Sequence, residues 1–188
     1  MTVPLRSARL VLRAYTAADA PFVRDLYSRE AVQRYLGDGT ARVSTLAAAA
    51  QKIGGWAEAY RGHPLHGVWA VCGPDGSPVG TLLLKPIPDS GADTAHDVEI
   101  GWHFHPDAWG HGYATEAARA VLEHAFGAGL GRVVAVTWPA NAASQAVCRR
   151  LGMRHLGLSR AYYDTECELY ELRAPASGAG APGRKATP

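Results

Sequence analysis

The chain has 188 residues, with 19 Lys and Arg against 17 Asp and Glu and a net charge of +2. That length points to one domain, and a near-neutral charge with no clustered basic stripe argues against nucleic acid as a partner. No apolar run approaches a membrane span, Met1 to Arg6 lacks a secretory core, and the odd set Cys72, Cys148 and Cys167 suits reduced thiols better than disulfides or zinc, so a cytoplasmic protein without membrane association is expected.

In chain order, Arg9 to Tyr15 alternates as a first strand. Thr16 to Asp19 resembles a capping box opening a helix that buries Phe22, Val23, Leu26 and Tyr27. The loop Tyr35 to Gly39 either lines a substrate entrance or joins two helices. A second helix is predicted over Val43 to Tyr60, with Val43, Leu46, Ala50, Ile53 and Tyr60 on its apolar face and a kink at Gly54-Gly55. Val68 to Cys72 and Pro78 to Leu84 read as a hairpin about Gly73 to Gly76, ended by Pro86 and Pro88. In the strand His96 to Phe104, Val98, Ile100, Trp102 and Phe104 take one face, while Asp97, Glu99, Gly101 and His103 form a polar face able to line a cleft.

The stretch Asp107 to Glu116 follows that strand and precedes a helix predicted from Thr115 to Ala128. Gly110 and Gly112 let the backbone turn tightly and approach a ligand, and the unpaired N–H groups of the helix start favour an anion such as a phosphate. A tight strand–helix turn without a ligand is the plain alternative. The dinucleotide and triphosphate-loop fingerprints are both absent. Arg132 to Trp138 reads as a central strand buried on both faces. Asn141 caps a short helix ending at Gly152, and Met153 to Leu158 and Glu166 to Leu172 are the closing strands. Residues 174–188, rich in Ala, Gly and Pro, are expected to be a disordered tail behind a single domain spanning 1–173.

Asn141, Ser144, Cys148, Gly152 and Met153 follow the glycine loop by about thirty residues, and with it they make the chain recognisable. It resembles the GNAT superfamily of acyl-CoA N-acetyltransferases, closest to the Rim-type branch that acetylates ribosomal-protein N-termini. Arg9 to Arg13 resembles that branch's opening strand, Glu99 to Trp102 its central strand, and Glu166 to Tyr170 its last strand. The resemblance implies an α/β (α+β) fold: a mixed, splayed, mostly antiparallel sheet of about seven strands with about four flanking helices.

The family's acyl-CoA loop reads R/Q-x-x-G-x-G/A, with Gly112 and Ala114 on its last two fixed positions and Trp109 where Arg or Gln is usual. The resemblance therefore assigns acetyl-CoA to Trp109, Gly110, His111, Gly112, Tyr113, Ala114 and Thr115. Its pantetheine arm is expected between strands ending near Phe104 and Trp138, which adds Trp102, His103, Phe104, Asn141 and Ser144. Acetyl transfer to a primary amine through a ternary complex needs a base and an acid. Glu99, on the cleft face, is the first candidate base and His103 the second. Ser144 is the first candidate acid and Cys148, where many members carry Tyr, the second. Tyr35, Trp56, Glu99 and Tyr163 are expected around the amine, which is either a peptide N-terminus or a small molecule. Acceptor specificity is expected in Ala31 to Gly62 and Ser159 to Thr165. No metal is expected, and a homodimer through the last strands is implied by resemblance. The rival readings are a non-catalytic CoA-binding sensor domain and an unrelated nucleotide-binding domain.

Overall fold

The computed structural model describes residues 3–37 and 42–175. Eight strands form one sheet in the order β1-β2-β3-β4-β5-β6-β8-β7. They are β1 (Leu5–Arg6), β2 (Val11–Ala14), β3 (Gly67–Cys72), β4 (Pro78–Ile87), β5 (Asp97–Phe104), β6 (Arg132–Thr137), β7 (Arg154–Ser159) and β8 (Cys167–Arg173). The helices are α1 (Ala20–Ser28), α2 (Glu30–Gln33), α3 (Leu46–Ala59), α4 (Tyr113–Gly127) and α5 (Ala142–Arg150). Neighbours pair antiparallel throughout except β5 and β6, which are parallel. The count exceeds the expected seven by β1, two residues too short to carry a period.

Alternation along the strands separates two cores. Leu10, Leu12, Trp69, Val71, Leu82 and Ile100 pack with Ala117, Val121 and Ala125 of α4. Val68, Ala70 and Cys72 face the opposite way, against Val23 and Leu26 of α1 and Ala49 and Ile53 of α3. α3 runs through Gly54 and Gly55 rather than breaking there; both glycines are exposed and nothing lies within 4 Å of where their Cβ atoms would be. Its buried stripe also differs from expectation. Ala49 and Ile53 are buried while Leu46 is 49% exposed, because the helix starts at Leu46 and turns that first residue outward.

Pro86 lies inside β4 rather than ending it, opposite Val98. The β3 ladder stops at the Gly67–Leu84 pair, so Pro86 has no β3 partner to disappoint with its missing N–H. β7 is a free edge and leaves Leu158 exposed. Asp38 and Gly39 of the entrance loop, and the predicted tail beyond residue 175, lie outside the described residues.

Candidate active site

The site begins where the sheet divides. β5 and β6 share a single register pair, Glu99 with Val134, among the described residues. On its other side β6 is held in full register by β8, from Arg132–Arg173 to Thr137–Glu168, and β5 is held likewise by β4. Two strands each committed to an outer partner part beyond Glu99, and a cavity of about 1300 Å³ opens along the fork. At about 3.3 Å per residue, the distance along β5 from Glu99 to Phe104 is roughly 16 Å. The cavity is a channel, with the buried Glu99 in its interior and the exposed Gly110 and Gly112 at its mouth.

At the mouth, Gly110 (φ 80°) and Gly112 (φ 77°) are both left-handed, a conformation in which a Cβ is costly. α4 starts at Tyr113, two residues earlier than predicted, with Gly112 as its N-cap. Its first ladder bond is from the Glu116 N–H to the Gly112 carbonyl, so among the described residues the amides from Gly110 to Thr115 have no protein acceptor. They face the positive end of a 15-residue helix.

A clamp from the N-terminal segment fixes this loop. Arg9 donates to Glu116 and, through Nη2, to the His111 carbonyl at 2.9 Å. The Arg9 amide and the Ser7 hydroxyl donate to the same Glu116 carboxylate, and the Arg9 guanidinium stacks 4.9 Å from the centre of the Tyr113 ring. These hydrogen bonds hold Glu116 below the usual carboxylate range against the effect of burial.

In the interior of the channel, Glu99 is 7% exposed and faces Lys85, its cross-strand neighbour, on the cleft side of the sheet. Lys85 Nζ donates to Glu99 Oε1 at 2.9 Å and to the Tyr163 hydroxyl at 2.8 Å, and that hydroxyl in turn donates to Oε1. Glu99 Oε2 has no protein partner among the described residues. Burial, together with the Glu99 charge, pushes the Tyr163 hydroxyl well above the ordinary phenol range.

Tyr163 reaches Glu99 from a strained turn. It and Asp164 have φ values of 58° and 52°, uncommon for non-glycine residues. Contacts with the β4–β5 connection hold them there: Tyr163 N–H to the Pro88 carbonyl, Asp164 N–H to Ser90 Oγ, and Gly91 N–H to Asp164 Oδ1. Further along the same face, His103 Nδ1 lies 2.9 Å from the Tyr27 hydroxyl, which also meets Thr81 Oγ1. Burial, with Lys52 and Lys85 nearby, holds the His103 imidazole down to about 4, so it is neutral near pH 7.

Most residues singled out from the sequence line this channel. Trp102, His103 and Phe104 form one wall, with Asn141 and Ser144 opposite. Trp109, Gly110, Gly112, Tyr113, Ala114 and Thr115 frame the mouth, and Tyr35, Glu99 and Tyr163 border the end away from it. The Asn141 side chain accepts from the Ser144 N–H at 3.1 Å, an N-cap that also holds Asn141 at the channel wall.

Three expected residues are placed elsewhere. Cys148 is fully buried in the α4 core, its thiol pushed up to about 12 by burial, because α5 presents Ala143, Ala146, Val147 and Arg150 to the channel with Ser144 at the edge, and Cys148 lies beyond that edge. Trp56 packs on Tyr15 and Tyr27 at 5.1 and 6.0 Å and does not reach the channel. His111 faces a smaller cleft on the far side of the loop, and only its carbonyl is engaged by the clamp.

Lys85, Arg34, Thr137 and Arg150 line the channel and were missed. Lys85 carries the only signal that could have found it, a charge at the end of an apolar strand, but its register with Glu99 is not legible in sequence. The hydroxyls of Thr115 and Thr137 are buried on the channel wall without partners among the described residues. A buried unpaired hydroxyl costs about 1–3 kcal/mol, which suits a wall built to meet a polar ligand. No group of three or more His, Cys, Asp or Glu among the described residues is placed to hold a metal ion.

A parallel fork beside an amide-lined helix start is also the geometry of a known family, and the family model described as "Acetyltransferase (GNAT) domain" matches residues 9–154. The chain belongs to the GNAT acetyltransferase family. Among GNAT relatives, it is 29% identical to the uncharacterised N-acetyltransferase YoaA of Bacillus subtilis over 181 residues, covering 91% of this chain and 97% of that protein. It is 44% identical to the uncharacterised N-acetyltransferase YnaD of the same organism over 63 residues, 33% of this chain and only 37% of YnaD. Among solved structures, RimL, a ribosomal L7/L12 α-N-protein acetyltransferase in complex with coenzyme A, superposes with a TM-score of 0.75 at 19% identity, over 91% of this chain and 98% of that one. As a GNAT member the chain is an acetyltransferase, and none of its described helices is long and apolar enough to cross a membrane.

Proposed function

We propose that this protein transfers the acetyl group of acetyl-CoA to a primary amine within a ternary complex, with the chemistry at Glu99. The observation that carries this reading is the continuity of one channel from the free amides of the glycine loop to the Glu99 carboxylate at the base of the β5–β6 fork. Acetyl-CoA supplies an activated thioester. The amides from Gly110 to Thr115 suit its pyrophosphate, Arg150 adds positive charge on the same wall, and the unpaired hydroxyls of Thr115 and Thr137 suit polar groups of its arm.

Glu99 takes a proton from the incoming ammonium through Oε2, directly or through water, while Lys85 and Tyr163 hold Oε1 and fix the carboxylate. Ser144, on the channel wall, is the hydroxyl available to protonate the leaving thiolate, and the buried Cys148 is no longer a competitor for that role. Much of the rate comes from holding the amine and the thioester together in the channel. Likeness to the Rim-type branch supports a peptide N-terminus as one acceptor class. A homodimer would pair along the free edge of β7, and sedimentation tests it.

Glu99→Gln tests the base. The carboxamide keeps the shape and loses the basicity, so turnover should fall about 100-fold or more with little change in affinity for acetyl-CoA. The measurement is thiol release at saturating amine, with CoA affinity followed by calorimetry. Native-like turnover in Glu99→Gln would remove Glu99 as base and leave His103 as the next residue to replace. CoA binding with no thiol release for any amine would point instead to a CoA-binding domain without transfer.

A further inference from the structure

The charges around Glu99 constrain what the acceptor can be. Among the described residues, the charged side chains lining the channel are Arg34, Lys85, Glu99 and Arg150. Lys52 lies just behind this face, its Nζ stacked 5.0 Å from the Tyr27 ring and 5.3 Å from that of Trp56. With Arg150 matched to the pyrophosphate, the acceptor meets one carboxylate, Glu99, beside Lys85 and Arg34 with Lys52 behind them, and the neutral His103 adds nothing to balance these cations. Lys85 is in direct contact with the carboxylate that must meet the ammonium. A polyamine or aminoglycoside would bring several positive charges against the half-buried Lys85 and the exposed Arg34, where like charges repel. An amine that carries its own anion beside the nitrogen would instead place alternating charges against the Lys85–Glu99 pair.

We propose that the acceptor is a small zwitterion, a primary amine with a carboxylate on the adjacent carbon as in a free α-amino acid, its ammonium at Glu99 Oε2 and its carboxylate at Lys85. Lys85 is then a specificity-determining residue, a role additional to fixing Glu99. The proposal rests on the acetyl-transfer reading above and narrows it. The step itself is ordinary amide formation. The amine nitrogen bonds the acetyl carbon as the carbon–sulfur bond breaks; of the two protons the ammonium loses, one leaves through Glu99 to solvent and one goes to the thiolate.

The test compares acceptors that differ by the carboxylate alone: tyrosine with tyramine, and ornithine with putrescine, each by kcat/KM for thiol release from acetyl-CoA. The expected result is a preference of about tenfold or more for the amino acid of each pair, the discrimination a site shows when its charged group is left without a partner. Lys85→Met should bring that ratio toward one and Lys85→Arg should retain it, with thermal melts confirming that both variants fold. Equal or better rates for tyramine and putrescine, a peptide N-terminus outrunning every free amino acid, or a ratio unchanged in folded Lys85→Met would each overturn the proposal. Should no acceptor release CoA, the acetyl-transfer reading falls, and calorimetry on the CoA-loaded protein still decides the site. Tyrosine binding that tyramine does not match and Lys85→Met abolishes would uphold it; the absence of any such difference would overturn it.

Discussion

Gly112 and Arg9 show how single residues prepare the mouth of the channel. Gly112 has φ 77°, and a Cβ there would lie 3.7 Å from Arg9 Nη2, in ordinary contact. The penalty for a side chain is therefore backbone strain, about 1–2 kcal/mol for a left-handed residue, and a β-branched group crowding the Arg9 clamp that fixes the loop. Gly112→Val should remain folded with a modestly lower melting temperature and lose CoA affinity by tenfold or more, about 1.4 kcal/mol; unchanged affinity in the folded variant would refute the loop as the pyrophosphate site. Arg9 sits beside the loop, and its side chain's polar and ring partners among the described residues are the His111 carbonyl, Glu116 and the Tyr113 ring. Arg9→Ala should accordingly raise KM for acetyl-CoA several-fold while kcat at saturation changes little, which steady-state kinetics separates from a general loss of stability.

Among the elements, the closing strands illustrate how charge fixes a ladder. Glu171 of β8 is 4% exposed and meets Arg132 of β6, Arg154 of β7 and the neighbouring Arg173. Those guanidinium groups hold its carboxyl down to about 2, from an ordinary 4.5. With the folded value depressed, the stability it contributes is complete above the ordinary value and is lost as pH falls from 4.5 toward 2. His103 acts with the same sign at higher pH. Its value in the fold is about 4 against an ordinary 6.5, so the unfolded chain takes up the proton first and stability declines as pH falls between those values. Urea melts across pH should show both losses in the native protein, with the lower one reduced in Glu171→Gln.

For the whole molecule, ligand binding and folding should be linked through the fork. Its walls come from β5 and β6, strands joined at a single register pair, so a ligand filling the channel ties two halves of the sheet together. A ligand that binds only the folded state stabilises it by about 2.7 kcal/mol at a hundredfold excess over Kd. For a chain of this size that corresponds to a rise of roughly 5–10 °C in Tm. Differential scanning calorimetry with CoA should show the shift in the native protein and lose about half of it or more in Gly112→Val.

Local pattern alone determined much of this protein: the positions of most strands, the glycine loop before a helix and the Asn141 cap; the family followed separately, from resemblance of its ordered motifs to GNAT acetyltransferases. Those features depend on near neighbours in sequence, through period, propensity and turn chemistry. What the tertiary structure decided depends on register and rotation between distant segments. Lys85 became part of the site because β4 and β5 align it with Glu99, and Tyr163, already expected near the amine, meets Glu99 itself because the Pro88 to Gly91 segment holds its turn in a strained conformation. Cys148, Trp56 and His111 stand within the right motifs but point elsewhere, since the direction of a side chain on a helix or loop is set by what packs against it. Pro86 reads locally as a strand end, yet it continues β4 because β3 has already stopped beside it.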